Sequence, residues 1–263
     1  MPKAPFHFVP LPASRSTRKP RASGRTMMID DGLPLGQVRD LVALGGDYID
    51  LAKIKTGTAR FYPRAQLVQK LRLYKKNRIQ PFLGGQFHEY VFATQGEKAL
   101  AQYYAEARAL GFQAIEISDN TVPLTEAQRR SQIRAAVRAG LIVYGEVGSK
   151  ETMSNPGLLV RQARVCFDAG AALVLVEAAE LVEKGRLRKK TLDLLVKSLD
   201  MSRVMIELPG PWISDVRSCD IEDMKKALVQ ALGPDVSLAN VPPGSIIDTE
   251  ATRTGLGTAG PLK

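Results

Sequence analysis

Residues 111–147, GFQAIEISDNTVPLTEAQRRSQIRAAVRAGLIVYGEV, contain one complete strand–helix–strand pattern. The apolar runs at 113–118 and 141–147 have the length and branched side chains of buried strands. Between them apolar residues recur at helical spacing, Thr125 is a typical helix N-cap, and Gly140 stands where the helix should end. Because a helix joins the two strands, the pattern predicts that they lie parallel in one sheet.

The same unit recurs along the chain. Gly111, Gly140 and Gly170 close successive predicted helices about thirty residues apart, the length of one strand–helix unit. The strand candidates are the apolar runs at 26–30, 47–54, 79–84, 113–118, 141–147, 172–178, 203–209 and 236–241. Eight such strands in 263 residues predict an α/β fold, a single-domain (β/α)8 TIM barrel. An open doubly wound sheet is the alternative, but no G-x-G-x-x-G follows any strand.

The composition is that of an ordinary globular protein, with 44% hydrophobic and 24% charged residues. No apolar run approaches the roughly 20 residues of a membrane helix, and the N-terminus lacks the apolar core of a secretory signal. The only cysteines are Cys166 and Cys219, and the only histidines are His7 and His88. We therefore expect a cytoplasmic protein with no disulfide framework, no zinc site and no membrane partner.

The net charge of +10 is concentrated near the N-terminus, where six cationic residues precede the first acid, Asp30. These are Lys3, Arg15, Arg18, Lys19, Arg21 and Arg25. The segment is also rich in proline and serine, so we expect residues 1–24 to be a disordered basic arm and 25–263 to be the barrel. The chain has no nucleic-acid motif, and its basic surplus suits anionic metabolites.

Four consecutive predicted strands each carry one glutamate near the carboxyl end. These are Glu116, Glu146, Glu177 and Glu207, and Asp30 ends the first strand in the same way. Since side chains alternate between the faces of a strand, we expect all five to face the barrel interior, at the end where TIM-barrel active sites lie.

Carboxylates that converge in a dry cavity repel one another, and a divalent cation removes that penalty. With no histidine or cysteine nearby, the ion should be Mg²⁺ or Mn²⁺. The alternative is that the glutamates pair with Lys53, Lys55 and Lys150 and only stabilise the barrel.

Lys150 follows the fifth predicted strand, two residues after Gly148. An amine at that place could anchor an anion, form a Schiff base or donate a proton. The alternative is a surface lysine at a loop tip.

At these residues the sequence resembles the phosphosulfolactate synthase family, enzymes of coenzyme M biosynthesis that join sulfite to phosphoenolpyruvate. The resemblance runs from about residue 25 to 257, and it is carried by DYIDLAKIKTGTA (47–59), GFQAIEISDNT (111–121), YGEVGSK (144–150) and SLANVPPGSIIDTEATRTGL (237–256). It implies a TIM barrel that uses Mg²⁺, which agrees with the fold and the metal read from the residues.

The resemblance also implies roles for individual residues. Sulfite would add to the methylene carbon of phosphoenolpyruvate, Mg²⁺ would stabilise the resulting aci-anion, and Lys150 would protonate C2 beside Glu146. The anionic ends of the substrate would be held by Lys53, Asn240 and Arg253. For the metal, the strand pattern itself supplies the expected ligands, which are Glu116, Glu177, Glu207 and Asp30.

The chain departs from the family pattern at several basic positions. Two arginines and a lysine of the family are missing. Asp31 stands in place of the lysine, Gly257 in place of one arginine, and the segment with Ala178 and Ala179 lacks the other, while Lys55 is a candidate replacement. These departures keep two other functions open. One is enolate formation from a different small acid, and the other is a non-catalytic, stress-associated barrel. From the resemblance we also expect a homo-oligomer.

Overall fold

The computed structural model describes residues 5–12, 14–16, 18–148, 155–183, 186–210 and 216–261. Within these residues, eight parallel strands close into a barrel in the order β1–β2–β3–β4–β5–β6–β9–β10. They are β1 Thr26–Asp30, β2 Leu51–Ile54, β3 Gln80–Leu83, β4 Ala114–Ile117, β5 Ile142–Val147, β6 Leu173–Glu177, β9 Val204–Glu207 and β10 Leu238–Val241. The predicted (β/α)8 TIM barrel is confirmed.

Helices surround the barrel and connect its strands. They are α1 Leu35–Gly45, α2 Arg64–Lys76, α3 Gly85–Gln95, α4 Glu97–Leu110, α5 Glu126–Arg138, α6 Pro156–Ala169, α7 Lys189–Ser198, α8 Ser218–Leu232 and α9 Ile246–Arg253. A short antiparallel pair, β7 Val182–Glu183 and β8 Arg186–Leu187, follows β6. In the part of the chain described, no helix is long and apolar enough to cross a membrane.

The helix boundaries follow the local signals in the sequence. Thr125 caps α5, and its Oγ1 accepts a hydrogen bond from Gln128 N at 3.2 Å, while Gln128 Oε1 accepts one from Thr125 N at 2.9 Å. Gly111 and Gly170 end α4 and α6 with φ of 102° and 112°. This is the left-handed region, which favours glycine, so both helices stop where the sequence predicts.

The barrel interior contains an apolar layer below a polar one. Inward side chains of the apolar layer are Met27, Leu51, Phe82, Ala114, Tyr144, Leu173, Leu175, Met205 and Ala239. Phe82 and Tyr144 pack edge to face, with ring centroids 5.0 Å apart. Two residues further along several of these strands, the inward position is taken by a charged side chain, because the side-chain period of a strand is two. The strands therefore deliver charges to the carboxyl end of the barrel.

The N-terminal segment differs from the expected disordered arm. Arg15 is buried, and its guanidinium binds Glu250 Oε2 at 2.7 Å and Asp235 Oδ1 at 3.2 Å. Arg21 is also buried and binds Asp50 Oδ1 at 2.9 Å. Asp50 and Asp235 lie just before β2 and β10. Arg15 and Arg21 therefore attach their part of the arm to the amino end of the barrel, whereas Phe6 and Phe8 are exposed.

Candidate active site

The candidate site is a cavity of about 270 Å³ at the carboxyl ends of the barrel strands. TIM barrels carry their catalytic groups at this end. The residues that line this cavity are Ile29, Lys53, Lys55, Thr56, Gly84, Gly85, Gln86, Glu116, Asn120, Glu146 and Asn240. A larger cavity of about 450 Å³ lies outside the barrel, against α2, α3 and α4, and its wall is mostly apolar. We assign the site to the smaller cavity because the ionisable groups converge there.

Three buried carboxylates meet at the carboxyl end of the barrel. Glu116, Glu146 and Glu207 each offer an oxygen, and these oxygens lie within 4.8 Å of one another. Each residue stands two positions after an inward apolar residue, namely Ala114, Tyr144 and Met205. The same alternation carries Lys53 inward from Leu51. The strand period therefore brings these groups together from separate parts of the chain.

Lys53 joins two members of this cluster. Its Nζ lies 2.7 Å from Glu116 Oε2 and 3.1 Å from Glu207 Oε1. For Lys53, burial is the largest single effect and lowers the pKa, but the charges of the surrounding glutamates together outweigh it and raise the pKa. Lys53 is therefore an ammonium ion at neutral pH.

Burial raises the pKa of Glu116 well above its ordinary value, with Lys53 opposing this effect and Glu146 and Glu207 adding to it. The raised pKa favours the protonated form of Glu116, since the three carboxyl groups share a single ammonium group. A divalent cation would allow all three to be carboxylates, because it would balance the remaining charge. The donor set consists of carboxylate oxygens, which suits a hard cation such as Mg²⁺. Glu116, Glu146 and Glu207 are the described residues that fit such an ion.

Glu177 was expected among the metal ligands. It is buried at the end of β6 and lies beside Glu207 in the register of β6 with β9. The three-carboxylate cluster found among the described residues does not include it. Glu177 therefore stands next to the cluster rather than in it.

Asp30 is placed differently from the expectation. Met27 belongs to the inner layer and Ile29 lines the cavity, so Asp30 faces outward. There its carboxylate accepts hydrogen bonds from Lys70 Nζ at 2.8 and 3.0 Å and from Tyr74 OH at 2.8 Å, both on α2. The expectation that Asp30 is a metal ligand is therefore corrected, because its carboxylate ties β1 to α2.

Arg253 was expected to bind substrate, but it lies at the opposite end of the barrel. Its Nη1 donates to Pro234 O at 2.9 Å and also to Val236 O, just before β10. Its Nη2 donates to Arg25 O at 3.2 Å and Thr26 Oγ1 at 3.3 Å, at the start of β1. We therefore leave Arg253 out of the substrate site, because its guanidinium joins the amino ends of two strands.

Asn240 and Lys55, the other expected substrate ligands, both line the cavity. Asn240 has a φ of 60°, which interrupts the strand alternation at the end of β10. Its Oδ1 is buried and makes no hydrogen bond within the described residues. Such an orphaned acceptor at a cavity wall is suited to a ligand. Lys150, the expected proton donor, lies outside the described residues.

Two further features were not predicted from the sequence. Gly85 N donates to Glu116 Oε1 at 2.8 Å, and a Cβ at Gly85 would clash with Ser118 Oγ. Asn120 Nδ2 donates to Glu146 Oε1 at 2.7 Å. The Gly84–Gly85 pair after an apolar run was a visible signal of close approach, whereas the role of Asn120 depends on how its loop folds.

Comparison with known proteins identifies the family of the chain. The family model of (2R)-phospho-3-sulfolactate synthase (ComA) matches residues 14–258. The chain is 32% identical over 262 residues to phosphosulfolactate synthase from Methanothermobacter thermautotrophicus, with 95% of each chain covered. It is 30% identical over 256 residues to the Bacillus subtilis phosphosulfolactate synthase, covering 91% of this chain and 93% of that one.

Among solved structures, 3-hexulose-6-phosphate synthase from Salmonella typhimurium is similar with a TM-score of 0.52 and 17% identity, over 88% of this chain and 93% of the other. That likeness shows the barrel fold alone. The family model and the two synthases, by contrast, match across the barrel strands that supply Lys53, Glu116, Glu146 and Glu207. The chain therefore belongs to the phosphosulfolactate synthase family of enzymes.

Proposed function

We propose that the protein adds sulfite to phosphoenolpyruvate to give (2R)-phospho-3-sulfolactate, in the cavity bounded by Glu116, Glu146 and Asn240. The observation that carries the proposal is the cluster of three buried carboxylates around Lys53, in a chain that matches the family over nearly its whole length. A cluster of this kind is costly to bury, and a cation-assisted reaction on an anion gives it a use.

The proposed reaction is an addition, and no group leaves. The sulfur lone pair of sulfite forms a C–S bond to C3 of phosphoenolpyruvate, and the C2–C3 π electrons move onto the substrate carboxylate. C2 then takes one proton, so neither an oxidant nor a reductant is needed. The chemical difficulty is the double negative charge on the substrate carboxylate before that proton arrives.

Mg²⁺, held by Glu116, Glu146 and Glu207, would supply positive charge against the substrate carboxylate. Lys53 supplies a further, fixed positive charge at the same end of the barrel. Asn240 and Lys55 line the cavity and bind the polar ends of the substrate. In this proposal the protein residues orient the anion and exclude water, because the cluster itself is buried.

Lys150 is the proposed proton donor to C2. It follows Glu146 by four positions in the sequence, and β5, the strand that supplies Glu146, ends at Val147 at the carboxyl end of the barrel. An ammonium group so placed can both attract the anion and deliver the proton. A proton donor normally contributes about 10²–10⁴-fold to the rate, so Lys150→Met should lower kcat by that factor.

Phosphorus NMR tests the proposed reaction directly. Purified protein with phosphoenolpyruvate, sulfite and Mg²⁺ should give a new phosphoester resonance that needs all three components. Glu207→Gln should reduce the rate of its appearance, while the exposed Glu106→Gln should not. An unchanged spectrum from folded protein would overturn the proposal. Loss of phosphoenolpyruvate without sulfite would instead indicate a different reaction on the same acid.

A further inference from the structure

We propose that Glu89 and Asn120 form a positioning pair that holds the carboxylate of Glu146 in the cluster. Neither residue was identified from the sequence pattern, and neither carries a charge opposite to that of Glu146. The inference deepens the proposed function, because it concerns the same cavity. It depends on a continuous set of hydrogen bonds that runs from α3 through the β4–α5 loop to β5.

Glu89 is the first link. It lies on α3, is 1% exposed, and accepts hydrogen bonds from the loop that follows β4. Its Oε1 accepts from Asn120 N at 3.2 Å and from Ser118 Oγ. Its Oε2 accepts from Thr121 N at 2.7 Å, Thr121 Oγ1 at 2.6 Å and Val122 N at 3.0 Å. Five donors on one carboxylate fix the backbone of the loop.

These contacts explain why the residue is a glutamate. A carboxylate offers two acceptor oxygens and no donor, which matches the donors that surround it. In Glu89→Gln, one oxygen would become an NH₂ group that faces loop N–H groups. Three of the donors are backbone amides of consecutive residues, so the loop could not keep its conformation around a glutamine.

Asn120 is the second link. Its backbone N is held by Glu89, and its side chain lines the cavity. Asn120 Nδ2 donates to Glu146 Oε1 at 2.7 Å. Through this hydrogen bond, the position of the loop helps to orient the carboxylate of Glu146 within the cluster.

Arg129 restrains the same region from the other side. Its Nη1 donates to Glu146 O at 2.7 Å, and its Nη2 forms an ion pair with Asp119. The backbone of Glu146 is therefore fixed independently of Glu89. What Glu89 and Asn120 add is control of the Glu146 side chain, which separates a positioning role from general support of the strand.

The first experiment measures the hydrogen bonds of the positioning pair directly, and it needs neither metal nor substrate. In ¹⁵N-labelled protein, the side-chain amide protons of Asn120 should exchange with solvent at least about tenfold more slowly than those of the exposed Asn155, since one of them is hydrogen-bonded to a buried carboxylate. Glu89→Gln should remove that protection but leave the Asn77 amide, which donates to Leu73 O, unchanged. Equal protection of Asn120 in the wild type and in Glu89→Gln would overturn the proposal.

The second experiment rests on the proposed function and measures the effect on turnover. Glu89→Gln and Asn120→Ala should each lower kcat by about tenfold or more, and the double variant should lose little beyond either single one, because both act through one hydrogen bond. Glu97→Gln, an exposed glutamate on α4, is the control. If the wild type itself is inactive, the proposed reaction fails, while the exchange experiment still shows whether Glu89 and Asn120 form the positioning pair. If the wild type is active and both variants keep its kcat, the positioning role fails.

Discussion

Lys53 Nζ lies 2.7 Å from Glu116 Oε2, and this ion pair spans β3 to join β2 with β4. The second bond of Lys53, to Glu207 on β9, reaches across the barrel in the other direction. One ammonium group thus links three strands that are not hydrogen-bonded neighbours. Its first function is to make the burial of two carboxylates tolerable.

Lys53→Met should therefore lower the free energy of unfolding at pH 7 by about 3–5 kcal/mol, the usual cost of leaving a buried charge without its partner. Burial already raises the pKa of Glu116 in the folded state. A carboxyl group whose pKa is raised by folding stabilises the fold at low pH, and this contribution is lost as pH rises. The variant should therefore regain stability as pH falls from 7 to 5. Urea unfolding at both pH values measures this. Lys76→Met, at an exposed position of α2, is the control, and an equal loss in both variants would contradict the prediction.

Mg²⁺ should raise the melting temperature of the wild-type protein. At a concentration of one hundred times Kd, binding to the native state adds about 2.7 kcal/mol to the free energy of unfolding. Glu207→Gln should reduce this gain, since it removes one of the three clustered carboxylates, and Glu106→Gln should not. Thermal unfolding with and without Mg²⁺ measures both. A full gain in Glu207→Gln would exclude the cluster as the metal site.

Asp30→Asn should destabilise the fold without weakening Mg²⁺ binding. The substitution leaves Lys70 buried without its carboxylate partner, which costs about 3–5 kcal/mol. The matched control is Asp31→Asn, because Asp31 is the exposed neighbour. Urea unfolding and Mg²⁺ titration together test the assignment, and a large increase in the Mg²⁺ Kd would return Asp30 to the metal site.

Arg15→Gln should show that the N-terminal segment contributes to the fold. Two carboxylates, Glu250 and Asp235, lose a buried partner in this variant, so the free energy of unfolding should fall by at least about 2 kcal/mol. Arg18→Gln changes an exposed arginine three positions away and should have an effect within about 0.5 kcal/mol. Similar unfolding curves for the two variants would mean that the segment is not held by Arg15.

His88 should make stability depend on pH in the acid range. It is buried against Tyr104, with Nε2 3.0 Å from the Tyr104 hydroxyl, and burial lowers the pKa of His88 to about 4. Since the unfolded chain binds a proton near pH 6.5, stability should fall as pH drops from 6.5 to 4, by a total of about 3 kcal/mol. His88→Phe should flatten that slope in urea unfolding, while the exposed His7→Phe should keep it. An unchanged slope in His88→Phe would refute the assignment.

The period of the strands predicted much of the site from the sequence. Glu116, Glu146 and Glu207 were expected to face inward, and each stands two positions after an inward apolar residue. In the first strand, TMMID, Met27 and Met28 are both apolar, so the pattern cannot tell which of them faces the barrel. Which residues of this strand face inward, and therefore the direction of Asp30, depends on packing that only the fold shows.

Other contacts could not be read from the sequence because their partners are distant or lie in the backbone. Arg15 looks like a solvated charge until Glu250 is brought beside it by α9. Glu89 looks like an ordinary helix residue, and most of its donors are backbone N–H groups of a loop. For Lys53 the sequence left two alternatives, substrate binding and pairing with the inward glutamates, and only the fold shows that its partners are Glu116 and Glu207.

The contacts of Arg253 also bear on the order in which the barrel can assemble during translation. This guanidinium binds Arg25 O, 228 positions away, where β1 meets β10. During synthesis, β1 leaves the ribosome long before its second neighbour exists, and closing so long a loop is a slow, non-local step. We expect nascent chains that end before residue 236 to expose the open edges of β1 and β9. Such chains should therefore depend on chaperones until α9 has emerged and Arg253 can bind the amino ends of both β1 and β10.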